Sequence, residues 1–232
     1  MRIYPFQKFV SIFFIVALGI AGWPAKPVSA APVFPSGFTT ELVVPNLTGP
    51  TTIAFAPDGR IFIGQKDGRV RVFQNGKLLA TDFIDLSSEV NNYWDRGLLG
   101  IAVHPAFPDT PYVYLLYTYD PPGAADNGDG ARVSRLIRVT ADPSNTNVAL
   151  PESTMVLLGK NSTFANIGDP KSHDGEPSCQ SEGIYVQDCI ASDGPSHTIG
   201  TVAFGIDGSL FVSSGEGGHF LYTDPRACVR RM

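Results

Sequence analysis

The chain has 232 residues, of which 17% are charged, 24 are glycine and 19 are proline. This composition favours many turns and few long helices. The 22 acidic residues outnumber the 17 basic ones, and an acidic balance argues against nucleic acid or an anionic membrane surface as the partner.

The first thirty residues have the pattern of an export signal. Arg2 and Lys8 precede an apolar run at 9–23, and small residues at 28–30 offer a cleavage site. The apolar run has fifteen residues, fewer than the roughly 20 that span a bilayer. We therefore expect a signal peptide at 1–30, a secreted or periplasmic protein with no membrane association beyond export, and a mature domain at 31–232. That domain holds fourteen basic and 22 acidic residues, a formal charge of −8.

The mature sequence opens with short runs of alternating apolar residues separated by turn residues. The runs lie at 53–56, 60–64, 69–73 and 82–86, and Pro57-Asp58-Gly59 forms the first turn between them. Four short antiparallel strands in succession are the unit of a β-propeller blade. The sequence therefore predicts one blade within residues 53–86.

The same spacing returns twice along the chain. Residues 202–212 repeat residues 53–63 at an offset of 149, and an intermediate copy starts at Gly100. A period of about 45–50 residues is typical of propeller blades. Strands predicted at 112–117, 132–139 and 154–158 complete the second blade, and 159–196 form a long polar insertion.

The predicted fold class is therefore all-β, a β-propeller of four-stranded antiparallel blades. The third blade has only its first two strands, so about two and a half blades of an expected six are present. A propeller closes with about four to eight blades. We therefore expect either a chain truncated at its C-terminus or further chain supplied by a partner.

Two stretches resemble the glucose/sorbosone dehydrogenase family. The first consists of DFIDL at 82–86 with DRGLLGIAVHPAF at 95–107, and the second runs from SHTIG at 196–200 to GEGG at 215–218. The resemblance covers about residues 40–222. It implies an oxidoreductase that oxidises a small-molecule sugar or related alcohol with pyrroloquinoline quinone (PQQ) and calcium. Most ligands of that cofactor and metal in the family have no counterpart here, so the chain alone is expected to be inactive.

The resemblance also implies roles for individual residues. His197 matches the family's general base, which takes the hydroxyl proton while hydride passes to the quinone, and imidazole titrates in a suitable range. Glu216 matches the acid that orients this base, although the family usually has aspartate there. Asp95 and Arg96 hold the equivalent place in the preceding blade, so we expect them to face the same cavity and contact the cofactor.

The cysteines and an oxygen-rich turn leave alternatives open. Cys179 and Cys189 can form a disulfide in an oxidising compartment, with Cys228 left over, or all three can be free thiols. Asp126 to Gly130 can be a calcium loop or a solvated turn, and the turn is favoured because the late glutamate of an EF-hand is missing.

Two other functions are compatible with a propeller of this kind. One is a non-catalytic extracellular module that binds a carbohydrate or a protein. The other is a lactonase-like hydrolase, but the channel carboxylates that hold its metal are not visible in the sequence. No metal ligand is assigned, and the oligomeric state is not indicated.

Overall fold

The computed structural model describes residues 33–124, 128, 130–169, 171 and 177–215. The predicted signal peptide at 1–30 lies outside these residues. The chain divides into two units, up to Glu41 and from Leu42 onward. In the first, the described residues form one turn, closed by the bond from the Phe38 N–H to the Pro35 carbonyl at 3.1 Å.

The first sheet is a blade whose fourth strand is split. Its strands are β1 (Pro50–Phe55), β2 (Ile61–Gln65), β3 (Arg69–Gln74), β4 (Lys77–Leu78) and β5 (Ile84–Asp85). The first three pair in order, and β4 and β5 both pair with β3, one at each end. All pairings are antiparallel, as the sequence predicts for a blade.

The second sheet has the same plan with longer strands. It contains β6 (Leu98–Val103), β7 (Tyr112–Tyr119), β8 (Arg132–Asp142), β9 (Asn145–Ala149) and β10 (Met155–Leu158). The pairing order is β6, β7, β8 and β10, while β9 forms a hairpin with the far end of β8.

The polar insertion ends as part of the second sheet. It contains a 3₁₀ helix (Phe164–Asn166) and the strands β11 (Gln180–Ser181), β12 (Ile184–Tyr185) and β13 (Ile190–Ser192). β13 pairs with the start of β8, and β10 pairs further along the same strand. The insertion therefore interrupts the outer strand of the blade. The outer strand continues as β13, which leads directly into the loop that contains His197.

The third sheet is the hairpin of β14 (Ile199–Phe204) and β15 (Leu210–Ser214). Val202 pairs with Val212 just as Ile53 pairs with Ile63 in the first blade. The repeat of 149 residues seen in the sequence is therefore also a repeat of strand register.

The three first strands lie side by side, since β6 contacts both β1 and β14. Alternating side chains of the second sheet face opposite ways. Leu115 and Ile137 pack into the core against the first sheet, whereas Leu116 and Leu136 pack against the third. Sheets stacked through their faces around adjacent inner strands are blades of a propeller, which confirms the predicted fold class. The 3₁₀ helix is the only helix in the described part of the chain, and no helix there is long and apolar enough to span a bilayer.

Candidate functional site

One backbone hydrogen bond recurs at the same end of all three blades. A residue at the end of the second strand, or just after it, donates its N–H to the carbonyl of the residue just before the first strand. These bonds are Lys66 to Gly49 at 2.8 Å, Thr118 to Gly97 at 3.1 Å and Gly215 to Thr198 at 2.5 Å. We call this end of the blades, where β1, β6 and β14 begin, the mouth. The bonds make Thr48, Arg96 and His197 structurally equivalent, each one residue before the bonded carbonyl.

His197 presents an exposed side chain at the mouth. Its backbone has φ of +50°, a left-handed conformation that residues other than glycine rarely adopt. The neighbouring Ser196 and Thr198 are buried, so the segment is fixed on both sides of the imidazole. The chain also passes very close to Gly215, where an added Cβ would lie 2.2 Å from the His197 carbonyl oxygen. A glycine is therefore required beside the histidine.

The first strand of each blade is irregular near the mouth, and in the third blade this irregularity lies next to His197. The register shifts between Ile199 and Val202. The Ser213 hydroxyl fills the gap, because its Oγ accepts the N–H of Thr201 at 2.8 Å and donates to the carbonyl of the same residue at 3.3 Å. A side chain therefore replaces a backbone partner at this point of the strand.

Arg96 is fully buried and points into the protein. Its Nη2 donates to the carbonyl oxygens of residues 192–194 at 2.9, 3.0 and 3.2 Å. The backbone N–H of Asp95 adds a bond of 3.1 Å to the Pro195 carbonyl. Arg96 and Asp95 together therefore hold the segment that leads into His197, and the structure brings all three predicted residues into one pair of adjoining loops.

A second polar group lies behind Arg96. The Asn91 amide donates to both carboxylate oxygens of Asp120 at 3.2 Å and to the Gly128 carbonyl at 3.1 Å. Arg96 Nη1 donates to the same carbonyl at 3.2 Å, and Arg132 Nε donates to Asp120. The glycine belongs to the predicted oxygen-rich turn at 126–130, of which only Gly128 and Gly130 are described.

The insertion is tied to the same loop from the other side. A disulfide joins Cys179 to Cys189 with an S–S distance of 2.08 Å. The adjacent Ser178 donates its backbone N–H to Asp193 Oδ1 at 3.0 Å. The disulfide and this bond fix the insertion beside β13 and hence beside the segment that Arg96 holds.

A partly buried carboxyl group lies on the loop that leads into the second blade. Burial raises the pKa of Glu89, although the Tyr117 hydroxyl donates to its Oε1 at 3.1 Å. Burial also raises the pKa of Tyr117 well above its ordinary value, with the nearby Glu89 charge acting in the same direction. Burial therefore shifts the protonation equilibrium of both groups toward the uncharged form.

The remaining predicted site residues differ in how far the structure describes them. Asp95 is exposed at the mouth. Glu216 lies outside the described residues, so its contact with His197 stays a prediction. Within the described ranges, no group of three or more histidine, cysteine, aspartate or glutamate residues is arranged to hold a metal ion.

Sequence reasoning missed two features of this site. The carbonyl partners of Arg96 lie in the insertion and could not be predicted. The equivalence of Arg96 to His197 agrees with the sequence prediction, because the two repeat offsets, 48 and 149, place Thr48, Arg96 and His197 at one position. The second feature is an aromatic pair, Tyr93 and Trp94, on the loop beside Asp95.

Comparisons with known proteins identify the family. Residues 47–227, more than three-quarters of the chain, match the sequence model of the family described as Glucose / Sorbosone dehydrogenase. The chain is 30% identical over 107 residues to quinoprotein glucose dehydrogenase B of Acinetobacter calcoaceticus, covering 44% of this chain and 22% of that protein.

Solved structures with a similar fold include two sugar dehydrogenases. The PQQ-bound aldose sugar dehydrogenase of Streptomyces coelicolor has 20% identity and a TM-score of 0.48 over 77% of this chain and 41% of its own. The soluble aldose sugar dehydrogenase of Escherichia coli has 20% identity and a TM-score of 0.43 over 74% of this chain and 39% of its own. The chain thus spans well under half the length of these relatives. By its sequence match, the chain belongs to the glucose/sorbosone dehydrogenase family.

Proposed function

We propose that this chain is part of an exported quinoprotein oxidoreductase that oxidises a sugar or a related alcohol by hydride transfer to PQQ, with His197 as the general base. The observation that carries the proposal is the exposed imidazole at the mouth, on a segment fixed by Arg96 and by the close approach of Gly215. Family membership and the quinoprotein relative of Acinetobacter calcoaceticus support the same chemistry.

The role of His197 follows from the chemistry of the alcohol. A neutral imidazole accepts the proton of the hydroxyl group that is being oxidised. As the O–H bond breaks, the oxygen electrons form the C=O bond and the carbon releases hydride. The bound quinone supplies the acceptor for that hydride. His197 then holds the proton as imidazolium, and Glu216 is proposed to orient and stabilise it.

The described residues fit the part of a PQQ site that holds the general base. An exposed imidazole on a rigid segment at the end of the inner strands is suitable for a substrate lying over a planar cofactor. The carboxylates of PQQ also require cations, and the buried guanidinium of Arg96 is directed at carbonyl oxygens instead. This geometry favours a positioning role for Arg96 over the direct cofactor contact predicted from the sequence. Asp95, an exposed carboxylate, is better suited to binding substrate hydroxyl groups. Calcium is part of the proposal only because the family resemblance implies it.

Export is supported by two independent features. The pattern at 1–30 is that of a signal peptide. The disulfide between Cys179 and Cys189 requires an oxidising compartment in most organisms. We therefore propose a secreted or periplasmic location.

The proposal is tested by titrating the full chain with PQQ and calcium and following quinone absorbance on the protein. We expect saturable uptake that His197→Ala weakens about ten-fold, a loss of about 1.4 kcal/mol of binding free energy. We expect no turnover of glucose, since most of the family's cofactor ligands lack counterparts in the sequence.

His104→Gln is the matched control. His104 follows β6 at the end opposite the mouth, and its Nδ1 accepts the Ala106 N–H at 3.1 Å. This variant should bind PQQ as the unchanged chain does. Equal uptake by the His197 and His104 variants would contradict the proposed site. Absence of any uptake would leave the non-catalytic binding module or an inactive fragment.

A further inference from the structure

Two stacked aromatic rings stand at the mouth beside the candidate base. The Tyr93 and Trp94 rings have centroids 6.3 Å apart and are inclined by 18°. Trp94 is 51% exposed. The next residue, Asp95, donates its N–H to the Pro195 carbonyl, which lies two residues before His197. The aromatic pair and the base are therefore on adjoining loops.

The backbone holds the indole in this exposed place at an energetic cost. Trp94 has φ of +49°, a conformation that costs a bulky residue roughly 1–3 kcal/mol. Lys66 Nζ donates to the Trp94 carbonyl. The turn is closed by the Arg96 N–H bonded to the Tyr93 carbonyl at 3.0 Å, and the Tyr93 N–H donates to Asn91 Oδ1 at 3.2 Å.

A fixed, exposed indole is characteristic of a binding surface. Burial of apolar area is favourable, so a stable turn that keeps this ring in contact with solvent leaves it available to a ligand. Binding sites for small molecules combine aromatic walls with a few polar groups. Here the exposed carboxylate of Asp95 provides the polar group next to the ring.

We propose that Trp94, backed by Tyr93, is a platform for the substrate sugar. A pyranose ring has a flat face of C–H groups that can stack on an indole, while Asp95 can accept hydrogen bonds from hydroxyl groups at the ring edge. The platform orients the sugar so that one hydroxyl points to His197. This inference deepens the proposed function, because it names the residues that select a cyclic sugar.

Tryptophan fluorescence tests the platform directly. The chain has two tryptophans, Trp23 and Trp94, so the full chain with Trp23→Phe reports on Trp94 alone. We expect glucose to change the emission saturably and sorbitol, its open-chain polyol, to leave it unchanged, since sorbitol has no ring face. N-acetyltryptophanamide with each compound corrects for quenching in solution.

Variants separate the platform from the base. Trp94→Gly keeps the turn, because glycine adopts positive φ without strain, and should weaken glucose binding measured by calorimetry about ten-fold. The glucose affinity of Trp94→Phe should lie between those of the unchanged chain and Trp94→Gly. The thermal midpoint of each variant checks that it folds. His104→Gln, at the end opposite the mouth, should bind glucose within about two-fold of the unchanged chain, and His197→Ala should weaken PQQ uptake about ten-fold.

The outcomes distinguish this inference from the proposed function. The platform is wrong if sorbitol acts like glucose, if Trp94→Gly binds glucose as tightly as before, or if glucose gives no saturable response. PQQ uptake that still depends on His197 would leave the proposed function standing in each of these cases.

Discussion

Arg96→Met should loosen the loop that carries the candidate base, His197. Methionine fills a similar volume but cannot donate hydrogen bonds. The substitution removes the bonds from Nη2 to the carbonyls of residues 192–194 and the bond from Nη1 to Gly128. The carbonyls lose a buried donor, and the segment before His197 loses its main side-chain support.

The size of the effect follows from the bonds. A hydrogen bond to a charged group contributes about 1.5–3 kcal/mol, and an acceptor left buried without a donor costs about 1–3 kcal/mol. These terms overlap because one guanidinium serves all the carbonyls. One lost charged bond and one unsatisfied acceptor together account for about 3–5 kcal/mol, and we expect the free energy of unfolding to fall by that amount.

The assay is urea unfolding combined with amide hydrogen exchange. Exchange should accelerate most at residues 192–198 and little at 69–74, which form β3 of the first blade. Arg138→Met is the control, because Arg138 stacks on the Tyr112 ring at 4.1 Å and its loss should cost about 1 kcal/mol. Arg96→Lys, which keeps the charge without the planar fork, should be intermediate. A loss below about 1 kcal/mol for Arg96→Met, or uniform acceleration of exchange, would refute the positioning role.

Three further predictions concern the surroundings of the site. Burial raises the pKa of Glu89, so the contribution of this group to stability is complete below its ordinary pKa of 4.5 and is lost as pH rises through the folded-state pKa. Glu89→Gln can still accept the Tyr117 hydrogen bond, so in urea melts from pH 4 to 8 it should become progressively more stable than the unchanged chain. Parallel stability curves for the two proteins would contradict this. Gly215→Ala places a Cβ against the His197 carbonyl and should lower the thermal midpoint by an amount equivalent to about 1–3 kcal/mol, whereas Ser214→Ala should have little effect; equal midpoints would show that the contact is not tight. The unfolded, unreduced chain should show one reactive thiol among its three cysteines in a thiol titration, and reduction should destabilise it by about 3 kcal/mol; three reactive thiols before reduction would rule out the disulfide.

The sequence predicted the blades well because local information determines them. The turn at 57–59 and its copy at 206–208 each place a glycine at positive φ, with an aspartate that accepts the N–H two residues on. Identical turn chemistry at a fixed offset imposes identical register, and β2 and β15 accordingly pair with their neighbours in the same way.

The organisation of the loops could not be predicted in this way. β13 has only three residues and no periodicity to mark it. It pairs with the outer edge of the start of β8, whose other edge pairs with β7. The bonds of Arg96 join positions 96 to 98 residues apart, and nothing in the composition of the insertion indicates which carbonyls face inward. Long-range contacts between irregular segments depend on the complete fold.

One position of the repeat differs in conformation among the three blades. Thr48, Arg96 and His197 occupy one backbone position in three blades. Thr48 is exposed and its carbonyl accepts the Gln65 amide at 2.6 Å, and Arg96 turns inward to hold a neighbouring loop. Of these three, only His197 has positive φ, whereas a register shift just after this position occurs in the first strand of all three blades. Because copies of one unit tend toward one conformation, a strained residue in a single copy indicates a local requirement, and an imidazole turned toward solvent at the mouth is the feature that this strain maintains.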